Sequence, residues 1–389
     1  MRIKYLAFIT IVAISCKPEN SGITRFDPRE LNENEIILSE IADNVIYIPF
    51  DNSISLGPFY KNIILTGNSI YLSTKENGIL SFSRSGKFIR KIGSFGRGPG
   101  EYVYSYDVKV DIVKETIYNL DQNIIKVFSK SGNFLRTINL NEFGDNLDSF
   151  EVFNSKLFVF YKIQWSGFKY EWIILDTLGN LIKRKTSSIP SFSCEWGDPW
   201  LMFKCDNYLS YWNPFTDTVF SFLPDLTKKV SFIVSPGEHR MPMSKIYTFE
   251  NYNKYLHPKW FLETKGFLVL VFAYKKPYLI LIDKSNNDYF LITLDGDYSG
   301  DALFLTGGMI NDLDGGARFL PKAYYTENNK EYLIGLQYPH QIKTRIASDD
   351  FKNLIPRYPE KKKELEKLAA SLKETDNPVL ILVRLKEGI

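Results

Sequence analysis

Over most of its length the chain alternates apolar and polar residues with a period of two, in short runs broken by turn residues, the pattern of half-buried β-strands. The pattern also repeats. Phe82-Ser83-Arg84-Ser85-Gly86-Lys87-Phe88-Ile89-Arg90-Lys91-Ile92 aligns with Phe128-Ser129-Lys130-Ser131-Gly132-Asn133-Phe134-Leu135-Arg136-Thr137-Ile138. A third copy is Leu175-Asp176-Thr177-Leu178-Gly179-Asn180-Leu181-Ile182-Lys183, so the glycines fall at 86, 132 and 179, 46 and 47 residues apart. Each copy predicts a β-hairpin whose glycine supplies the positive φ of the turn. A fourth hairpin joins residues 217–222 to 228–234 through Pro224-Asp225, and a fifth joins 278–283 to 289–294 through Lys284-Ser285-Asn286-Asn287. Residues 237–259, which carry Pro242 and Pro258, read as a loop inserted before the fifth. Upstream of each hairpin stands another strand pair or its remnant, such as Ser69-Ile70-Tyr71-Leu72 and Thr116-Ile117-Tyr118-Asn119. Four short strands in roughly 40 to 50 residues make one blade of a β-propeller.

Five hairpins leave one incomplete unit. Residues 319–325 and 331–337 supply two inner strands, residues 378–384 a third, and Asn44-Val45-Ile46-Tyr47-Ile48-Pro49 the fourth. The expected fold is therefore all-β: a six-bladed β-propeller over residues 36–389, closed by pairing an N-terminal strand with the C-terminal blade, which removes an open sheet edge. One surface helix is expected at residues 359–372, where Leu365, Leu368, Ala369 and Leu372 form an apolar stripe behind a proline at the first turn.

The first residues belong to a different pattern. Arg2 and Lys4 precede an apolar run over residues 5–14 that is too short to span a bilayer, so residues 1–15 read as a secretory signal. Its end, Ala13-Ile14-Ser15-Cys16, resembles the bacterial lipobox, which implies lipidation of Cys16. Lys17 rather than Asp after the cysteine points, by analogy with lipoprotein sorting, to the outer membrane, facing the periplasm or the cell surface. Residues 16–35 are polar and turn-rich and read as a tether. Composition adds that the 389 residues are 15% aromatic, which suits sheets, and that 48 Lys and Arg stand against 45 Asp and Glu. A formal charge of +3 gives little reason to expect nucleic acid or attraction to an anionic surface, so the membrane contact expected is the lipid anchor alone.

At Ile92-Gly93-Ser94-Phe95-Gly96-Arg97-Gly98-Pro99-Gly100-Glu101-Tyr102 the chain resembles the six-bladed β-propeller lipoproteins common in Bacteroidota, themselves similar to NHL-repeat propellers. Further matching pieces are Asn213-Pro214-Phe215-Thr216-Asp217-Thr218-Val219-Phe220, Asn311-Asp312-Leu313-Asp314-Gly315-Gly316 and Asp376-Asn377-Pro378-Val379-Leu380. The resemblance implies fold and location and little about activity, because propellers host many functions.

Candidate chemistry is sparse. The three histidines, His239, His257 and His340, form no ligand-spaced pair, and no P-loop or nucleophile elbow is present. Cys194 and Cys205 either close a small disulfide loop outside the cytoplasm or stay as two buried thiols. Asp312 and Asp314 lie in a stretch that reads as an Asx turn, with Ca²⁺ binding the alternative. Trp165, Trp196, Trp200 and Trp212 either pack between blades or offer platforms to sugar or peptide. Arg97, Glu101 and Tyr102 sit on a glycine-rich loop at the end of the ring where ligands bind in propellers, and either meet a polar ligand or brace neighbouring blades. The reading is a monomeric, cofactor-free binding protein for an envelope protein, peptide or glycan, the alternative being a hydrolase or lyase acting near the central channel.

Overall fold

The three predicted turn glycines sit in the left-handed region, with φ of 82° at Gly86, 87° at Gly132 and 103° at Gly179. Each closes the hairpin its sequence predicts. The computed structural model describes residues 24–387 apart from 30–31, 58, 106, 146, 163–168, 188–191, 193–198, 206, 244–248 and 297–304.

The chain opens with β1 (Thr24–Phe26), a single helical turn α1 (Leu38–Ile41) and β2 (Ala42–Pro49). Blade 1 is β3 (Phe59–Leu65), β4 (Ser69–Thr74), β5 (Gly78–Ser83) and β6 (Phe88–Ile92). A crossover holding the parallel pair β7 (Ser94–Phe95) and β8 (Glu101–Tyr102) leads to blade 2. That blade is β9 (Asp107–Asp111), β10 (Thr116–Asp121), β11 (Ile124–Ser129) and β12 (Phe134–Asn139). Blade 3 is β13 (Leu147–Phe153), β14 (Lys156–Tyr161), β15 (Tyr170–Asp176) and β16 (Leu181–Thr186). Blade 4 is β17 (Leu201–Cys205), β18 (Tyr208–Trp212), β19 (Thr218–Phe222) and β20 (Lys228–Val234). Blade 5 is β21 (His257–Glu263), β22 (Phe267–Tyr274), β23 (Lys276–Asp283) and β24 (Tyr289–Asp295), extended by β25 (Thr306–Gly307). Blade 6 is β26 (Ala323–Glu327), β27 (Lys330–Gln337) and, after helices α2 (Pro339–Ala347), α3 (Asp349–Asn353) and α4 (Pro359–Ser371), β28 (Val379–Leu385).

The inner strands β3, β9, β13, β17 and β21 neighbour one another in that order, and β26 lies against β3. Blade 6 meets blade 5 through the Trp260 indole, which donates to the Pro321 carbonyl at 3.0 Å, while Tyr324 of blade 6 packs on Phe203 of blade 4. The fold is a six-bladed propeller. Its last sheet has the order β2-β28-β27-β26, with Tyr47 opposite Ile381 and Ile46 opposite Leu382.

The expected tether is corrected over the part that is described. β1 pairs in parallel with β20, Glu33 bridges Leu291 of β24, Ile37 bridges Ile310, and β2 then completes blade 6. The N-terminal segment thus runs as a strap along the outer edges of blades 4, 5 and 6. Its grip is apolar: Phe26, Ile36, Leu38, Ile41, Ala42 and Val45 are all buried in the largest hydrophobic cluster, together with the strands of blade 5. An outer strand exposes a row of unpaired backbone groups, and the strap satisfies part of that row, as where the Asn34 N–H donates to the Leu291 carbonyl at 2.8 Å. Two smaller corrections follow. Three helices, not one, fill the connection before β28; Ile342, Phe351, Leu365, Ala369 and Leu372 form their common core against Val379. Pro258, assigned to the inserted loop, is the second residue of β21, where the pairing slips between Pro258 and Trp260.

Candidate functional site

Strand alternation gives each blade two ends. One end carries the turns β3–β4 and β5–β6 and their equivalents; the other carries β4–β5 and the crossovers between blades. The crossover from blade 1 to blade 2, residues 93–106, lies at the second end and is built around Tyr102. This side chain is 1% exposed; its hydroxyl accepts from the Ile79 N–H at 3.0 Å and donates to the Ile92 carbonyl at 3.0 Å. Burial pushes its phenol pKa up to about 12. Gly78, at φ 69°, has to lack a side chain, since a Cβ there would collide with the Tyr102 hydroxyl. Glu101 folds back over its own loop and accepts from the Gly98 N–H at 2.8 Å. Both residues therefore serve the crossover's own structure.

Beyond them the backbone is pinned. The Asp121 carboxylate accepts from the N–H groups of Val103 and Tyr104, each at 3.0 Å, and the Asn119 amide donates to the Tyr104 carbonyl at 2.8 Å. Val103 (39% exposed) and Tyr104 (36%) reach the surface from this fixed backbone, Phe95 (43%) does so from β7 paired beside Tyr102, and Arg97, two residues further along the crossover, is exposed. Arg97 makes no hydrogen bond or ion pair among the described residues. At the opposite end of the same blade seam opens a groove of about 400 Å³, lined among others by Thr66, Asn68, Ser81, Arg90, Glu115 and Lys130. Its charges are largely occupied: Arg90 donates to the Ser131 carbonyl at 2.8 Å, and Lys130 pairs with Glu115.

The inner strands carry a charge chain that the sequence did not reveal. The Lys109 ammonium lies 3.0 Å from Asp107 and 3.5 Å from Glu151, and Lys204 lies 3.1 Å from Glu151. Burial opposes the charge on both Lys109 and Glu151, yet the partners prevail: the lysine pKa is raised and the carboxyl pKa lowered. Both groups stay ionised, which suits a brace between blades 2, 3 and 4 better than a proton shuttle. The one signal available in sequence was a charged residue inside each of the runs that became β9, β13 and β17.

The remaining candidates scatter. Trp200 and Trp212 are corrected as platforms: they are 5% and 1% exposed, and their indole N–H groups donate to the carbonyls of Tyr161 (2.7 Å) and Thr216 (2.8 Å). Trp165, Trp196, Cys194 and Cys16 lie outside the described residues, so neither the Cys194–Cys205 pairing nor the anchor has a geometry here; Cys205 ends β17, half-buried. His239 contacts the Lys254 carbonyl at 2.8 Å, His257 is fully buried against Tyr252, and His340 stacks beside Tyr338 on α2. Among the described residues no three His, Cys, Asp or Glu side chains converge as a metal site. Asp314 forms the expected Asx turn, accepting from the Gly316 N–H at 2.9 Å, and Asp312 accepts from the Ser39 N–H at 2.9 Å. Burial raises the Asp314 pKa above its ordinary value, opposed by hydrogen bonds from the Gly316 N–H and the Tyr47 and Asn311 side chains.

The fold has solved counterparts. A protein of Bacteroides fragilis described as exported superposes with a TM-score of 0.64 at 17% identity, over 94% of this chain and 100% of its own. A member of the DUF4221 family from Bacteroides vulgatus gives 0.51 at 11%, over 91% and 99%. At such identities the likeness is one of fold. No curated protein matches the chain. The family model described as a domain of unknown function, DUF4934, matches residues 23–384, so the chain belongs to that family.

Proposed function

We propose that the protein is an exported, non-catalytic binding propeller, acylated at Cys16 and held at the outer membrane, that takes a peptide, protein or glycan partner at the crossover end of the seam between blades 1 and 2. The observation that carries this reading is that Phe95, Arg97, Val103 and Tyr104 are all exposed on one crossover, whose backbone Asp121, Asn119 and Tyr102 fix at residues 102–104. Aromatic and arginine side chains dominate binding hot spots, and a backbone ordered before binding avoids the entropy cost of ordering it afterwards. The fold neighbour described as exported supports secretion. A hydrolase or lyase would need a titratable group poised to exchange protons; Lys109 and Glu151 are instead locked in their charged forms.

Affinity capture from the native envelope tests the reading. Arg97→Ala is expected to weaken retention of the partner about ten-fold or more while the melting temperature stays within a degree or two, as for an exposed hot-spot arginine. Loss of stability with unaltered retention would place Arg97 in a bracing role instead. Cys16→Ser is expected to abolish lipid labelling and release the protein from membranes; a variant still labelled and membrane-bound refutes the anchor.

A further inference from the structure

We infer that the outer rim where blade 3 meets blade 4 is a docking surface for the anionic phospholipid headgroups of the bilayer that holds the chain. The inference rests on the anchor proposed at Cys16. Lys183 on β16 and Lys228 and Lys229 on β20 are exposed. None of the three has a carboxylate partner among the described residues, whereas the neighbouring Lys185 is matched by Glu171 at 2.6 Å. The free ammonium groups are held in place by other means. Lys183 lies 3.4 Å from the Leu226 carbonyl, Lys228 sits 4.0 Å over the Phe220 ring, and Lys229 is 5.7 Å from the Tyr208 ring. Their crowding is registered in Lys228, whose pKa is lowered by burial and by the charges of Lys185 and Lys183, with Glu171 opposing. Two acids nearby stay charged, Asp225 held by the backbone and side chain of Thr227 and coupled to Lys183, and Asp176 held by Leu178 and Asn180 in its own turn, but neither forms an ion pair with the three lysines. Apolar side chains accompany the cations, with Leu178 69%, Ile182 45% and Leu181 39% exposed.

The path of the chain names the occupant. β1 runs parallel to β20, with Thr24 opposite Phe232 and Phe26 opposite Val234. The described chain therefore begins at Thr24 on the side of β20 that carries Lys228 and Lys229. Cys16 stands eight positions before Thr24, a reach of at most about 27 Å if fully extended. An acyl chain at Cys16 thus brings the bilayer to this rim, and exposed leucines among lysines match an anionic interface. The net charge of +3 conceals the patch because acidic residues elsewhere offset it. With the turn ends of blades 3 and 4 on the bilayer, the crossover end that carries Arg97 points away from it.

The experiment uses the full chain carrying Cys16→Ser, which has no acyl group, and measures co-flotation with vesicles of pure phosphatidylcholine or of equal parts phosphatidylcholine and phosphatidylglycerol. Binding to the charged vesicles alone is expected, weakening as salt rises. Replacing Lys183, Lys228 and Lys229 together by Gln is expected to cut that binding about a hundred-fold, at about five-fold per lysine, while replacing all three by Arg preserves it. Equal binding to both vesicle types, or a Gln variant that binds like its parent, overturns the surface. An Arg variant that fails like the Gln variant does so too, by showing a packing effect. The two readings separate cleanly: a wild-type chain that is lipid-labelled while the Ser variant ignores charged vesicles loses the docking surface and keeps the anchor. A Ser variant that binds them when the wild type carries no label keeps the docking surface and loses the anchor.

Discussion

Blades 4 to 6 and blades 1 to 3 solve the same problem, an open outer strand, in two ways. The outer strands of blades 4 and 5 take bridges from the N-terminal segment, and blade 6 takes β2 from that segment as its outer strand. Among the described residues β6, β12 and β16 have no outer partner. They instead present cations, Arg90 and Lys91, Arg136, and Lys183 with Arg184, which discourage pairing with another edge. Ile89, Leu135 and Ile182 occupy equivalent positions on these bare strands and are 43%, 49% and 45% exposed, whereas the strap residues Leu38 and Ile36 are 0% and 1% exposed. The same kind of side chain therefore holds the ring together on one half and faces solvent on the other, and the exposed half is where the proposed recognition surface lies.

The largest effect expected comes from breaking the strapped half outright. Deleting residues 379–386 removes β28, the strand between β27 and β2, and detaches the strap from its last sheet. No cooperative melting transition is expected in calorimetry; a truncated chain that melts like the parent contradicts the closure. Matched truncations sharpen the contrast. Leu38→Ala should cost about 2–5 kcal/mol, the range for a buried leucine, and Leu135→Ala less than about 0.5 kcal/mol, in the same denaturant titration. Comparable losses at both positions would erase the difference between the halves.

A smaller effect is expected beneath the strap, where Asp314 is buried next to Asn311, whose amide donates to the Tyr47 hydroxyl of β2 at 3.2 Å. Its folded pKa lies above the ordinary value of 3.8, so between the two values the folded chain holds more protons than the unfolded one. Its contribution is full below the ordinary carboxylate pKa and is lost as pH rises through the folded one. Asp314→Asn keeps an acceptor for the Gly316 N–H and removes the titration. The variant should match or exceed the parent in stability at neutral pH, with a flatter profile on the acid side; a variant as pH-dependent as the parent assigns the slope to other groups.

How much of this was legible in the sequence follows from how local each cause is. Gly86, Gly132 and Gly179 announce their hairpins because a positive φ in a tight turn is a local demand. The closure of blade 6 was visible because residues 379–384 and 44–49 are both apolar, β-branched runs left over from the repeat. β1 was not, because three residues carry no period, and the burial of Phe26 depends on Phe232, which stacks on it at 6.5 Å from far along the chain. Helices α2 and α3 were missed because each is short and contributes few apolar positions, completed only by α4. At the candidate site the sequence located the crossover but not which of its residues turn outward. Glu101 and Tyr102 looked as available as Arg97, and only the partners Gly98, Ile79 and Ile92 decide otherwise. The tryptophans stayed open between packing and platform for the same reason, since aromatic content says nothing of which ring faces are covered.

The central structural claim is that the N-terminal segment is a strap rather than a tether, and hydrogen exchange of the outer strands tests it most directly. Outward-facing amides of β20 and of the residue that follows it, such as the Ser235 N–H bonded to the Phe26 carbonyl at 3.1 Å, are expected to be protected, as is the Asn34 N–H on Leu291. Outward-facing amides of β6, β12 and β16 are expected to exchange rapidly. Rapid exchange at Asn34 and Ser235, at rates like those of the bare strands, would contradict the account.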